Sequence, residues 1–186
     1  RELCTKYNIL LIADEVASGF GRTGKMFACE HFGLEPDIMC MAKGMSSGYG
    51  AIGATIMTPE IGEVVEQKLW TYSTFGWTPY NTFAALVNIR HLMNEKLPER
   101  AAGMEKVFRK KLQETQFKEK PEIRIKGMAI GLKFKSPDYA SQLTLKAAQN
   151  GLILSEATAD TVVMYPALDI DENTIDEGFK RLAKSV

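Results

Sequence analysis

The sequence predicts an α/β protein in which part of a parallel sheet is followed by a small α+β unit. Residues 9–13 and 38–42 are continuous apolar runs that are too short for helices, which is typical of strands buried on both faces of a parallel sheet. After residue 98, short strand patterns alternate with helical ones. We therefore expect two domains, covering residues 1–97 and 98–186.

Composition excludes several classes of function. The chain of 186 residues is 45% hydrophobic and 25% charged, with 23 basic and 23 acidic residues, so neither a nucleic acid nor an anionic membrane is an expected partner. No apolar run approaches the roughly 20 residues of a membrane span. Cys4, Cys29 and Cys40 have no metal-ligand spacing, and nothing converges on His31, so we expect a reducing compartment and no metal site.

The first eight residues read as the last turns of a helix. Lys6 lies near its end, and Asn8 can adopt the left-handed conformation that closes helices. No initiator methionine precedes Arg1, so we expect the chain to be the C-terminal part of a larger polypeptide. A cytoplasmic location is expected, and a mitochondrial origin stays open because we expect an N-terminal part that this sequence does not include.

Each of the two apolar runs ends on charged residues. The first run is followed by Asp14 and Glu15, and the second by Lys43. Ligands bind at the carboxyl ends of strands in open α/β sheets, so these side chains are candidates for chemistry. Pyridoxal phosphate requires such a pair, a lysine for its Schiff base and an acid for its pyridinium nitrogen. Alternatively, Lys43 is only a solvent-exposed residue after a buried strand, and Asp14 and Glu15 cap the local backbone or form local ion pairs.

A glycine-rich loop follows the first acidic pair. Gly19, Gly21 and Gly24 indicate positive φ angles or a close approach of the backbone to a neighbour. Their spacing is not that of a dinucleotide fingerprint. Arg22 inside the loop could contact a phosphate or carboxylate, or fix the loop through an ion pair.

Further elements follow from periodicity and from helix start signals. They are a strand at 51–57, a helix beginning at Thr58-Pro59 with an apolar stripe of Ile61, Val64, Val65 and Leu69, a helix at 80–95, a helix opening at Pro98, a strand at 123–134, a helix at 136–150, strands at 152–155 and 161–165, and a last helix from Asp171. Residues 70–79 are aromatic and rich in hydroxyl groups. There, Ser73 and Thr74 can donate hydrogen bonds to an oxyanion.

Three segments carry a family resemblance. They read Asp14-Glu-Val-Ala-Ser-Gly-Phe-Gly-Arg-Thr-Gly24, Pro36-Asp37-Ile38 and Ala42-Lys43-Gly44. Together they resemble, nearly residue for residue, the signature of the class-III (omega) aminotransferases, which are fold-type-I pyridoxal-phosphate enzymes. The resemblance implies that residues 1–97 are the C-terminal portion of the cofactor-binding large domain and residues 98–186 the small C-terminal α+β domain. It also implies an upstream glycine-rich phosphate loop, which this sequence does not contain.

The resemblance implies a role for each matching residue. Lys43 would form the Schiff base with pyridoxal 5′-phosphate and then move a proton between substrate and cofactor. Asp14 would pair with the pyridine nitrogen, and Val16 would pack on one face of the ring. Thr74, with Ser73 beside it, would contact the phosphate of the neighbouring subunit's cofactor, which implies a homodimer.

The sequence departs from the family pattern at three places. Trp77 and the residue after it stand where many members have Gly-Asn, and Ala17 stands where a glutamine often contacts the cofactor. Val163 and Met164 lie where many members have an arginine that receives an α-carboxylate. An amine or ω-amino acid donor is therefore favoured over an α-amino acid. Alternative anion sites on this chain are Arg124 and Lys126.

These observations predict a pyridoxal-phosphate-dependent transaminase that moves an amino group between an amine or ω-amino acid and an oxo acid. An aminomutase or a decarboxylating transaminase of the same fold would carry the same Lys43 and Asp14, and the fold does not separate these reactions. An alternative of another class is a non-catalytic fragment or interaction module that lacks the upstream half of the pocket.

Overall fold

The computed structural model describes residues 1–68 and 73–186. The chain divides into two compact units, Arg1–Pro98 and Glu99–Val186. The predicted boundary after residue 97 lies beside this division, and the assignment of the halves to a large and a small domain stays a prediction. Leu69 of the predicted helix stripe and residues 70–72 of the aromatic stretch lie outside the described residues.

The first unit is built around a small mixed sheet. Its elements are α1 (Glu2–Lys6), β1 (Ile12–Asp14), β2 (Ile38–Met41), β3 (Ala54–Met57), α2 (Pro59–Lys68) and α3 (Pro79–Asn94). Strands β1 and β2 are parallel, with Asp14 opposite Cys40, and β3 pairs with β2 in the antiparallel sense. Asn8 takes a φ of 53°, which confirms the predicted left-handed residue after the first helix.

The prediction that the first strand spans residues 9–13 and is buried on both faces is wrong for this chain. Strand β1 begins at Ile12. Ile9 and Leu10 are each 56% exposed, and Ile12 is 58% exposed. The described residues leave these side chains uncovered, and β1 is also the edge strand of the described sheet, where only β2 pairs with it. The apolar character of residues 9–13 is typical of a buried strand, but the described residues of this unit do not bury it.

The second unit is an antiparallel sheet covered by helices. Its elements are α4 (Leu97–Glu114, which begins just before the division), β4 (Glu122–Lys126), β5 (Ala129–Lys133), α5 (Pro137–Gln149), β6 (Ser155–Thr158), β7 (Thr161–Met164) and α6 (Glu172–Ala183). The strand order is β4-β5-β7-β6. The strand predicted at 123–134 is instead a hairpin, because Gly127 has a φ of 57° and turns the chain between β4 and β5. The strand predicted at 152–155 begins only at Ser155.

One face of this second sheet forms a continuous core with the helices. The buried residues of that core are Ala101, Phe108, Leu112, Met128, Ile130, Leu132, Phe134, Ala140, Leu143, Val162, Ile175 and Leu182. Burial of each large aliphatic or aromatic side chain contributes about 1.5–3 kcal/mol. Strand alternation places Arg124, Gly131 and Val163 on the opposite face, side by side across three strands.

The helices of the described residues are all too short or too polar to cross a bilayer. The same residues contain no cluster of three or more histidine, cysteine or acidic side chains that could hold a metal ion.

Candidate active site

The carboxyl edge of the first sheet brings two predicted site residues together. Asp14 is the last residue of β1, and Lys43 follows the end of β2 by two residues. Because β1 and β2 are parallel and in register, their carboxyl ends lie at the same edge. Both side chains are exposed at that edge. A carboxylate at the end of β1 and an amine just beyond the end of β2 therefore lie at one edge of the sheet.

Lys43 has a strained backbone. It opens a short 3-10 turn, Lys43–Met45, with a φ of 42°. A non-glycine residue in this left-handed region costs about 1–3 kcal/mol, and it persists only where its surroundings hold it. Here the turn is followed by Ser46, which is 2% exposed and whose hydroxyl donates to the Gly50 carbonyl at 2.5 Å. The amide of Asn88 donates to the carbonyls of Gly44 at 2.7 Å and Met45 at 3.2 Å.

The loop after β1 packs directly against this turn. Phe20 is 5% exposed and has a φ of 56°, which is rare for a bulky residue. A Cβ atom on Gly44 would lie 3.1 Å from the Cβ of Phe20, so glycine at 44 allows the close approach. The Phe20 ring is itself held edge-on against Phe27, with 5.6 Å between ring centroids. The segments that follow Asp14 and Lys43 are thus in mutual contact.

Asp14 is oriented by its own loop. Its Oδ1 accepts a hydrogen bond from the backbone N–H of Val16 at 3.0 Å. Such an Asx-type bond fixes the carboxylate relative to the chain that follows. Val16 is half-buried directly beyond the acid. One local contact therefore sets the positions of both an acidic and a β-branched side chain at the strand end.

Glu15 is a structural residue of the site, for which the sequence left open either chemistry or a local cap or ion pair. It is only 3% exposed, and its carboxylate accepts from the Ser18 hydroxyl at 2.5 Å and from the Cys29 N–H at 2.7 Å. Burial alone would raise the pKa of Glu15, but these hydrogen bonds and one from the Ala28 backbone hold that pKa below its ordinary value. The ionised side chain thus ties the glycine-rich loop to the 3-10 turn Ala28–Phe32.

Ser73 and Thr74 lie in a different place. Both are exposed, in the turn that precedes α3, and the Gly76 N–H donates to the Ser73 carbonyl at 3.3 Å. In the part of the chain that the structure describes, no hydrogen bond joins either residue to Asp14 or Lys43. The two hydroxyl residues therefore form a second, separate group near a helix start.

The second unit carries the strand where the family resemblance predicts an arginine and this chain has Val163 and Met164. Val163 of β7 lies between Gly131 of β5 and Ser155 of β6, on the face away from the core. Arg124 shares that face, but its guanidinium is paired with both carboxylate oxygens of Glu122 at 2.8 and 2.9 Å. This ion pair raises the pKa of Arg124 and occupies the fork that an anion would need.

The fold indicates a class of protein when it is set beside solved structures. The mixed α/β fold matches that of fold-type-I pyridoxal-phosphate enzymes. The profile of the aminotransferase class-III family matches residues 1–186, and the chain belongs to that family. Class-III aminotransferases depend on pyridoxal phosphate. The predicted family and fold class are both confirmed.

Characterised relatives and solved structures agree with this assignment. The ornithine aminotransferase of Oceanobacillus iheyensis is 35% identical over 182 residues, which cover 98% of this chain and 45% of that protein. The putrescine aminotransferase of Pectobacterium atrosepticum is 41% identical over 133 residues, or 71% of this chain and 28% of that protein. The acetylornithine aminotransferase of Elizabethkingia anophelis superposes with a TM-score of 0.89 at 31% identity, covering 100% of this chain and 49% of that one. Where almost all of this chain is aligned, it covers about half the length of the relative.

We expect Glu15→Gln to destabilise the site loop. A glutamine amide presents an N–H₂ group to one of the donors that Glu15 now accepts from, so the free energy of unfolding of the full-length protein should fall by about 1–3 kcal/mol at neutral pH. Urea unfolding measures this loss. Because the folded-state pKa of Glu15 is lowered, its contribution is complete above the unfolded value of 4.5 and is lost as pH falls. The difference between wild type and variant should therefore shrink on acidification.

Glu30→Gln is the matched control for this measurement. Glu30 also accepts a backbone N–H, that of Phe27 at 2.7 Å, but it is exposed. Its replacement should change the stability much less than that of Glu15. Equal losses for the two variants, or a wild-type advantage that grows towards acid pH, would contradict the role given to Glu15.

Proposed function

We propose that the whole protein is a pyridoxal-phosphate-dependent aminotransferase that moves an amino group between an amine or ω-amino acid and an oxo acid. The observation that carries this proposal is the in-register pairing that presents Asp14 and Lys43 at one sheet edge, in a chain of the class-III family. The remaining half of the polypeptide would complete the pocket. A cytoplasmic location belongs to the same proposal, since Cys4, Cys29 and Cys40 are all free thiols.

The residues at this edge fit the cofactor. Asp14 offers an exposed carboxylate that Val16 N–H already orients, and Lys43 offers an exposed amine. When bound, pyridoxal phosphate supplies an aldehyde that reacts with amines and a cationic ring that accepts the electron pair left on the substrate carbon.

Each side chain has a distinct task in the proposed reaction. Asp14 would accept a hydrogen bond from the protonated ring nitrogen and so keep the ring cationic. Lys43 would hold the cofactor covalently between turnovers, and its freed amine would move a proton between the substrate carbon and the C4′ carbon of the cofactor. Val16 would limit the tilt of the ring, because a β-branched side chain has few rotamers.

We expect Lys43 to be the residue that holds the cofactor. Borohydride treatment of the cofactor-loaded, full-length protein, followed by peptide mapping, should place the reduced cofactor on Lys43. Lys43→Ala should abolish both the label and transamination, whereas Lys25→Ala should leave both unchanged because Lys25 is an exposed residue that donates to the Glu30 carbonyl. A label on Lys25 or Lys126 in the wild type would make the assignment of Lys43 wrong.

A homodimer is part of the proposal, and the start of α3 supports it. Four aromatic side chains there are exposed in the single chain: Phe75 at 76%, Trp77 at 68%, Tyr80 at 69% and Phe83 at 66%. Clustered exposed aromatics are typical of protein interfaces. Ser73 and Thr74 lie in the same turn, so a partner subunit that covers these aromatics would come close to both hydroxyl groups.

We expect Thr74→Ala to weaken cofactor retention in the full-length dimer. Thr74 precedes the amino end of α3, where a hydroxyl and the helix dipole both favour a phosphate. Dialysis against cofactor-free buffer should remove pyridoxal phosphate faster from the variant, while the mass in solution stays that of a dimer. Thr82→Ala is the control, because the Thr82 hydroxyl donates to carbonyls of its own helix. Retention that Thr74→Ala leaves unaltered would contradict the phosphate role.

The chemical class of the amino-group donor is inferred from the face of the second sheet that points away from the core. Val163 presents an apolar side chain where many family members have a carboxylate-binding arginine, and Glu122 already occupies Arg124. Burial of a carboxylate against an apolar wall costs free energy. The relatives named for ornithine and putrescine are named for compounds with a terminal amine. Terminal amines and ω-amino acids are therefore the donor class that we propose.

We expect Val163→Arg to shift the donor preference. In the full-length protein, terminal amines should have a higher kcat/KM than α-amino acids of the same length. A new guanidinium fork adds about 1.5–3 kcal/mol for a carboxylate, so the variant should favour α-amino acids about tenfold to hundredfold more than wild type does. Val163→Leu should keep the wild-type ratio. If α-amino acids are already the better donors of the wild type, the substrate proposal is wrong even if transamination is observed.

A further inference from the structure

Asn88 of α3 binds the chain immediately after Lys43. Its Nδ2 donates to the Gly44 carbonyl at 2.7 Å and to the Met45 carbonyl at 3.2 Å. The asparagine lies 44 residues further along the chain than Gly44, so this is a tertiary contact and not a local cap. Neither the cofactor nor a substrate needs to touch Asn88 for this contact to matter.

The position of Asn88 on its helix is otherwise apolar. Ala85 and Leu92, three residues before and four after, are each 5% exposed and lie on the same face of α3. An amide among such neighbours costs free energy unless its donors are satisfied. Both hydrogens of the Asn88 amide have an acceptor, and both acceptors belong to the Lys43 turn.

The turn needs this external donor. Its own hydrogen bonds use the carbonyls of Ala42, which accepts from Met45 N–H at 2.9 Å, and of Lys43, which accepts from Ser46 and Ser47 N–H at 3.3 and 3.1 Å. The next two carbonyls, those of Gly44 and Met45, receive the hydrogen bonds of Asn88. Lys43, with a φ of 42° in the left-handed region, lies directly before these two hydrogen-bonded peptide groups.

We propose that Asn88 is a positioning residue that fixes the direction of the Lys43 amine. The inference rests on the proposed function, in which that amine holds the cofactor and moves a proton. A displacement of about 1 Å at a reacting group can cost about a hundredfold in rate. Loss of Asn88 should therefore affect the chemical step more than the binding of the amine.

The experiment uses the full-length, cofactor-loaded protein and three variants. Asn88→Ala removes both hydrogen bonds, and Asn88→Asp keeps the shape but, when ionised, has no donor. Asn81→Ala is the matched control, because Asn81 is an asparagine of the same helix that binds the same loop further from Lys43, at the Ala51 carbonyl, at 2.9 Å. The readouts are kcat, KM for the amine, and the pH at which the visible absorption of the lysine-bound cofactor changes.

For Asn88→Ala we expect a kcat that is lower by about tenfold to hundredfold, a KM within about threefold of wild type, and a shifted absorption titration. Asn88→Asp should show the same loss at neutral pH and regain kcat relative to wild type at lower pH, where a protonated carboxyl donates again. Asn81→Ala should stay within about twofold of wild type in both kinetic constants and keep the wild-type titration.

Three results would overturn the inference. If either Asn88 variant has the same kcat and the same absorption titration as wild type, the hydrogen bonds do not position the amine. If Asn88→Ala does not fold, the result for Asn88→Asp is the one that counts. Equal losses in Asn81→Ala would show a general effect on the loop. If borohydride does not place the cofactor on Lys43 of the wild type, the proposed function itself fails, and this inference fails with it.

Discussion

The parallel pairing of β1 with β2 is the constraint on which the site depends. In that register Asp14 lies opposite Cys40, so one strand ends in a carboxylate beside the strand that leads to the amine. A shift by one residue would turn each side chain to the other face of the sheet. The backbone ladder, and not a direct contact between the two charges, is what places Asp14 and Lys43 at one edge.

Polar groups fix the segments that follow β1 and β2. The ionised Glu15 binds the loop after β1, and the Asn88 amide binds the turn after β2. Phe20 against Gly44 joins the two segments by packing. The exposed side chains of Ile9, Leu10 and Ile12, in and just before β1, show that the core of this unit is incomplete in the described residues, whereas the second unit buries a continuous core of its own. Local order at the sheet edge therefore relies on hydrogen bonds with buried partners.

Much of this could be predicted from the sequence, because the strand ends and the residues beyond them are neighbours in the chain. The apolar runs, the charges that follow them and most helix starts are local signals. The contacts of Glu15 and Asn88 are not, since their partners lie 14 and 44 residues away. The sequence does not reveal the hairpin at Gly127, because residues 123–134 also contain Gly131 inside a strand and a glycine alone does not show its φ. The exposure of Ile12 depends on whether another part of the structure covers the sheet at that point. The apolar run 9–13 alone does not reveal this.

The left-handed backbone at Lys43 has one more consequence. Glycine or asparagine would adopt a φ of 42° more readily than lysine does, so the fold alone would favour either of them at this position. In the proposed function, lysine at this place is a compromise between stability and activity. The folded protein carries a small, permanent loss of stability at the residue that its proposed chemistry needs, and a variant with glycine there would gain stability as it loses that chemistry.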